Sequence, residues 1–345
     1  MSDVHFEIVG KAGLITLTRP KALNALARAM CHDMCAALEE WAKDDRVERV
    51  AIRGEGKAFS AGGDIRAVYE DRDAAPGYFA DEYRLDAMVA HFPKPYVALI
   101  DGIVMGGGAG VSLHGSHRLV GENVLFAMPE VGIGLFPDVG VRHVLARLRG
   151  ESGTYLGLTG LRLRRDDVAA LGLATHALAS ERMDAALDRV AHARALDGAL
   201  DELAEDVAPW PDSDFKAIDA VFAGDSVPEI IERAEAGAAD NERVALAAEA
   251  MRGKSPTSMA VTLASLRRAA DETIDETLVS DYRVVRQILL GHDFFEGIRA
   301  VLIDKDNAPR WSPATHEGVD ADMVAAHFEE PEGGDLVLPP RPGTA

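Results

Sequence analysis

Twice in this chain a short run rich in β-branched residues empties directly into glycines. "VERVAIRG" leads into "EGKAFSAGGDIRAVYE", and "KPYVALIDGIVM" leads into "GGGAGVSLHGSHRLV". A strand that ends in glycines and then takes up helical spacing needs a tight turn, one in which backbone rather than side chain faces the strand's end. Two such units in succession favour parallel strands joined by helical crossovers. The chain is thereby restricted to an α/β layer structure with mostly parallel pairing.

The remaining segments fit around that frame. The alternating runs "VHFEIVG" and "GLITLTR" predict a hairpin closed by Gly10-Lys11-Ala12-Gly13. Asn24 is a candidate cap for a helix over 25–43, where Leu26, Met30, Met34, Ala37, Leu38 and Trp41 recur at spacings of three and four. From Glu181 to Ile303, Ala, Leu, Arg and Glu at helical spacing predict a helical layer. The closing stretch "EGVDADMVAAHFEEPEGGDLVLPPRPGTA" is rich in Glu, Gly and Pro and is expected to lie along the surface or fray. No repeat at a solenoid period is present.

Composition narrows the function. The chain has 345 residues, 48% of them hydrophobic, enough for a large core. With 57 acidic against 36 basic residues the net charge is −21, which disfavours nucleic acid and anionic membranes as partners. No segment approaches the roughly eighteen apolar residues of a membrane span, and the N-terminal stretch has no basic region followed by an apolar run. A cytoplasmic protein is the expectation. Cys31 and Cys35 stand one helical turn apart and read as small buried side chains rather than a disulfide or a metal half-site. The 11 histidines include no HxH or HExxH pair; His114 and His117 flank a turn, and no metal is expected.

"FSAGGDI" and "MGGGAG" each offer backbone N–H groups at a helix start, where donors are unpaired and the dipole favours negative charge. Converging on one point, the two turns would form an oxyanion hole; any one such turn read alone need be no more than a tight bend. Neither stretch matches a dinucleotide or P-loop pattern. "FAMPEVGIGLFPDVG" then sets Glu130 and Asp138 eight positions apart among apolar residues, glycines and prolines. A carboxylate held there loses solvation unless something pairs with it or uses it. Proton and water chemistry is one reading, capping of the adjacent loops the other. Asp64 reads as a helix cap and "LRLRRDD" as a solvated helix entrance.

The stretches "KAFSAGGDI", "GIVMGGGAGVSLHGSHRLV" and "FAMPEVGIGLFPDVG" together resemble the enoyl-CoA hydratase/isomerase (crotonase) superfamily in order and spacing. "GLTGLRLRRDDVAALGLATH", "SPTSMAVTLASLRRA" and "GHDFFEGIRAVLIDKDNAPRW" are similar to its 3-hydroxyisobutyryl-CoA hydrolase branch. The resemblance runs to Trp311. It implies a crotonase-like spiral of repeated ββα units with a C-terminal helical region: a core over 1–205 with the CoA thioester site, helices over 206–311 completing the acyl-CoA pocket, and a surface tail over 312–345.

The resemblance also implies roles. The thioester oxygen would sit between the backbone N–H groups of Ala61 and Gly107, with Gly62, Gly63, Gly106 and Gly108 shaping the turns against the substrate. Hydratases of the superfamily carry one catalytic glutamate just after the GGG turn and another in the "PE" dipeptide. This chain has Gly110 at the first position and Glu130 at the second, which argues against hydration, since glycine can deliver neither water nor proton. The hydrolase pattern pairs Glu130 with Asp138 as catalytic residues, and marks Glu82 as a substrate contact near the hydroxyl end, with Asp81 adjacent. Glu130 would attack the thioester carbon or activate water; both routes are open. Arg19, Lys21 and Lys305 are candidates for the CoA phosphates.

The implied reaction is hydrolysis of 3-hydroxyisobutyryl-CoA, a step of valine breakdown, with no cofactor beyond the coenzyme A of the substrate. A hydratase or isomerase is the alternative within the superfamily, and a non-catalytic RNA-binding or assembly protein the alternative from another class. The superfamily forms trimers and paired trimers through C-terminal helices, so a homo-oligomer is among the assemblies the resemblance implies.

Overall fold

The computed structural model describes residues 3–344. Its opening hairpin pairs β1 (Val4–Val9) with β2 (Ala12–Leu17) antiparallel. Val9 faces Ala12 across the end of the ladder, so the turn is the two residues Gly10 and Lys11 rather than the four expected. Helix α1 (Arg28–Lys43) starts three residues later than the sequence suggested, with Ala27 at its cap position. Asn24 is no cap. It lies buried with φ 55°, and its side-chain amide donates to the carbonyls of Glu55 and Ala58 at 2.9 and 2.8 Å.

From β3 (Arg49–Gly54) onward the chain repeats one manoeuvre. A longer strand joins a large sheet, a short one joins a small sheet, and a helix returns the chain. β4 (Ala58–Ser60) is followed by α2 (Ile65–Glu70) and α3 (Ala75–Ala90); β5 (Tyr96–Ile100) and β6 (Ile103–Met105) by α4 (Gly107–Leu113); β7 (His117–Val120) and β8 (Leu125–Ala127) by a 3-10 turn over Glu130–Ile133 and then α5 (Val141–Leu145). The six-stranded sheet has the order β1-β2-β3-β5-β7-β9, where β9 is His176–Ala177, and the three-stranded sheet the order β4-β6-β8. All pairs except β1–β2 are parallel. This is the expected spiral of ββα units.

β2 is buried along its whole length because apolar layers cover both faces of the large sheet. Leu178, Ala186, Val190 and Leu200, just after β9, pack on one face against Leu14, Val97 and Leu119. Ile15, Val50, Ile52 and Ala98 join the main core with α1, α3 and the later helices. The expected helical region follows; helices Pro256–Ala269 and Ile274–Leu290 pack on α5 and α3 respectively. Of the two courses open to the tail, lying along the surface or fraying, the second is not taken. The tail docks rather than frays: Phe328 and Leu336 are buried, Arg268 stacks on the Phe328 ring at 4.0 Å, and Arg283 pairs with Asp335. Cys31 and Cys35 are both free thiols on α1.

Candidate active site

The three strands of the small sheet end side by side, and each ends in a segment the sequence had singled out. β4 runs into Ala61-Gly62-Gly63, β6 into Gly106-Gly107-Gly108, and β8 into Met128-Pro129-Glu130. Carboxyl ends of adjacent parallel strands are where α/β sheets present their ligand sites. The two glycine turns touch. A Cβ on Gly62, whose φ is 108°, would sit 3.1 Å from the Met105 carbonyl oxygen and 3.5 Å from the Gly107 nitrogen. A Cβ on Gly107 would lie 3.3 Å from the Gly63 nitrogen. Glycine at these positions is what allows the turns to meet.

One expected donor is not free. The Ala61 N–H donates to the Leu23 carbonyl at 2.9 Å, drawn there by the Leu23-Asn24 segment, whose two residues both have left-handed φ. The Asp64 N–H is also engaged, donating to Leu26. Between them the Gly63 N–H has no backbone acceptor among the described residues, and Gly107 opens α4, where first-turn amides have no helical partner. Among the described residues the unengaged amides of the two turns are therefore those of Gly63 and Gly107, while that of Ala61 is taken.

Glu130 is buried and faces the second turn: a Cβ on Gly106 would be 3.2 Å from its Oε1. Its Oε2 is buried with no hydrogen-bond partner among the described residues. Burial, and secondarily the Asp138 charge, hold its carboxyl well above the usual range. Asp138, equally buried, accepts a hydrogen bond from the Tyr83 hydroxyl at 2.7 Å. Burial pushes its pKa to about 7 against the lowering effect of that bond.

The turn after Asp138 is strained and pinned. Val139, a β-branched residue, has φ 53°, a conformation that persists only when its surroundings enforce it. His114 Nε2 donates to the Val139 carbonyl at 2.8 Å, and the Gly140 N–H donates to Asp281 Oδ2 at 2.8 Å. Burial lowers the His114 pKa to about 4, which keeps the ring neutral. Asp281 is in turn paired with the fully buried Arg142, which also donates to the carbonyls of Ser265 and Thr277. His114, Arg142 and Asp281 thus fix the aspartate's loop.

Helix α3 closes the site from the other side. Glu82 points inward and is buried, whereas Asp81 points outward to Arg28, His32 and Arg84. A second buried acid, Asp86, lies one turn along, with neither oxygen partnered among the described residues. It borders the position of interest on α4: a Cβ on Gly110 would stand 2.6 Å from Asp86 Oδ1 and 2.8 Å from Val139 Cβ. Tyr83, Asp86, His114, Arg142 and Asp281 were not identified from sequence. The one available signal was the "YFADEYRLDAMVA" stretch, in which Glu82 and Asp86 share a helix face amid apolar residues.

The basic residues fare differently. Arg19 is consumed by a clamp on the first glycine turn, donating to the Ala25 carbonyl at 2.6 Å and to Asp64 at 3.0 Å, so it is not a free phosphate ligand. Lys21 and Lys305 are exposed. Asp64 caps α2 as expected, accepting from Ala67. No helix among the described residues is long and apolar enough to cross a membrane.

Known proteins are similar to this chain over nearly its full length. The chain is 42% identical to the 3-hydroxyisobutyryl-CoA hydrolase, mitochondrial, of Danio rerio over 98% of this chain and 92% of that protein. It is 40% identical to the protein of the same name from Homo sapiens, over 97% and 90%. Those names carry a mitochondrial location, which lends no support to the cytoplasmic expectation. A crystal structure described as a carnitinyl-CoA dehydratase from Mycobacterium thermoresistibile superposes with a TM-score of 0.91 at 39% identity, covering 97% of this chain and 98% of that one. Another, described as an enoyl-CoA hydratase from Rhodobacter sphaeroides 2.4.1, gives 0.89 at 39% identity, covering 98% and 100%. The Enoyl-CoA hydratase/isomerase profile matches residues 12–328. Strands, glycine turns and buried acids therefore lead to one conclusion: this chain belongs to the enoyl-CoA hydratase/isomerase family.

Proposed function

We propose that the chain hydrolyses 3-hydroxyisobutyryl-CoA to 3-hydroxyisobutyrate and coenzyme A. The observation that carries this reading is the pairing of Glu130 with Asp138 beside two glycine turns, while position 110 has no side chain. Near full-length similarity to proteins named for that activity supports it.

The thioester oxygen would accept from the Gly63 and Gly107 amides, which stabilise negative charge as it builds on that oxygen. Glu130, when ionised, either attacks the acyl carbon to give a mixed anhydride that water then opens, or takes a proton from an attacking water. Both routes break the C–S bond and return a proton from water to the coenzyme A thiolate; direct attack of water forms one C–O bond, whereas the anhydride route forms one to Glu130 and breaks it as water forms the second and Glu130 is released. Asp138 would receive the substrate's 3-hydroxyl and orient the reacting group. This chemistry draws on no cofactor beyond the coenzyme A of the substrate. The phosphates of that coenzyme A would be met by exposed cations such as Lys21 and Lys305, and the reaction fits a step of valine breakdown.

The descriptions of the two crystal structures favour hydration or dehydration as a second reading. Gly110 opposes it, because adding water across a double bond in this scaffold uses a second carboxylate at that position. The test is thiol release from 3-hydroxyisobutyryl-CoA, run beside loss of the double bond in crotonyl-CoA, for the wild type, Glu130→Gln and Asp138→Asn. Release abolished in Glu130→Gln, with crotonyl-CoA untouched, is the expected result. Rapid hydration of crotonyl-CoA without thiol release would defeat it.

A further inference from the structure

Asp81 and Glu82 are neighbours on α3 with opposite surroundings. Asp81 has three cationic or potentially cationic partners in Arg28, His32 and Arg84. Glu82 has none. The groups that face it are Tyr78, Tyr83 and Asp86 from its own helix, Cys31 from α1, and Asp138 from the turn before α5. Asp64, which also faces Tyr78, pairs with Arg19, and Arg19 pairs with Asp3 as well. Tyr78 offers little, since its hydroxyl donates to the Leu26 carbonyl at 2.8 Å and stands 3.4 Å from Glu82 Oε1.

The Glu82 carboxyl lies against the two residues whose amides are free. A Cβ on Gly63 would be 3.3 Å from Glu82 Oε1, and a Cβ on Gly107 would collide with the same oxygen. We propose that Glu82 acts as a neutral carboxylic acid and donates a third hydrogen bond to the thioester oxygen, beside the Gly63 and Gly107 amides. This role rests on the thioesterase reading and differs from a contact at the hydroxyl end of the substrate. An ionised carboxylate at this place would repel the forming oxyanion; a protonated one strengthens its hold as charge builds, and keeps its own proton throughout. Burial, followed by the Asp138 charge, raises the Glu82 pKa to about 8, in keeping with the geometry.

The experiment compares wild type, Glu82→Gln and Glu82→Leu, each checked for folding by thermal melting. Thiol release is followed from pH 6 to 9.5 with 3-hydroxyisobutyryl-CoA and with isobutyryl-CoA, which lacks the hydroxyl. The wild-type rate is expected to fall above about pH 8 as Glu82 loses its proton. Glu82→Gln, still a neutral donor, should lose this alkaline fall and stay within about tenfold of wild type at pH 7. Glu82→Leu should lose about 100-fold in kcat on both substrates, as for removal of one oxyanion donor. An unchanged alkaline fall in Glu82→Gln, or a Glu82→Leu defect confined to the hydroxyl-bearing substrate, overturns the donor role alone. Absence of thiol release from the wild type overturns the donor role and the thioesterase reading together.

Discussion

The Tyr83 hydroxyl donates to Asp138 Oδ2 at 2.7 Å, tying the middle of α3 to the turn that carries the second candidate catalytic acid. This bond favours the ionised form of Asp138 against the effect of burial. Tyr83→Phe should therefore keep Asp138 protonated to higher pH. A bond to a charged group is worth about 1.5–3 kcal/mol, so kcat at neutral pH should fall by about 10- to 100-fold, and the acid side of the pH–rate profile should move upward. A profile that moves downward or stays in place would refute this assignment.

The buried acids set a pH dependence of stability. Glu82, Asp86, Glu130 and Asp138 all have raised pKa values, with burial as the first cause. Between the ordinary carboxylate range and the raised values of about 7 for Asp138 and about 8 for Glu82, the folded chain holds protons that the unfolded chain has released. Their contribution is fully present below the ordinary range and is lost as pH rises through the folded values. Melting temperature should accordingly decline from pH 5 to pH 8. Glu130→Gln should flatten that decline and raise the melting temperature at pH 8 relative to wild type. Thermal melts of both proteins across the window test it.

Arg142 and Asp281 form a buried pair with no exposure of either side chain. Removing Asp281 takes from Arg142 its buried carboxylate and leaves it Glu272 at 3.7 Å and two carbonyls, at a cost of up to about 3–5 kcal/mol. Asp281→Leu also deprives the Gly140 N–H of its acceptor, so the strained Val139 turn loses an anchor. Urea unfolding should show the loss of stability, and thiol release should be impaired in whatever fraction remains folded.

Gly107→Ala offers a test of the second glycine turn. The added methyl would meet the Glu82 carboxyl and crowd the Gly63 amide at 3.3 Å. Activity should fall by about 100-fold or more, the range seen when one oxyanion donor is lost. Near-normal activity in a folded Gly107→Ala protein would remove these turns from the mechanism.

Much of this was legible in the sequence for a physical reason. Strand periodicity, glycine turns and apolar loops bearing acids are local patterns, and the ββα repeat converts them directly into a row of strand ends. What could not be read is what depends on contacts between distant segments. The Ala61 amide was misassigned because its acceptor, the Leu23 carbonyl, comes from a left-handed segment thirty-eight positions away. Asn24 resembles a helix cap, yet tertiary packing gives it the carbonyls of Glu55 and Ala58. The tail's polar composition leaves a surface course and fraying equally open, and it is Phe328, Leu336 and the Arg283–Asp335 pair that hold it. Asp281 reaches Gly140 across 141 positions, a relation that no local spacing encodes.

The bare Cα of Gly110 carries a consequence for redesign. Any side chain there would run into Asp86 and Val139 at once, and Val139 is itself locked in place by His114. A glutamate placed there alone would meet both neighbours. Room for a second carboxylate on α4 requires both Asp86 and Val139 to give way. A one-glutamate site of this shape is therefore separated from a two-glutamate site by coupled changes around position 110 rather than by one exchange.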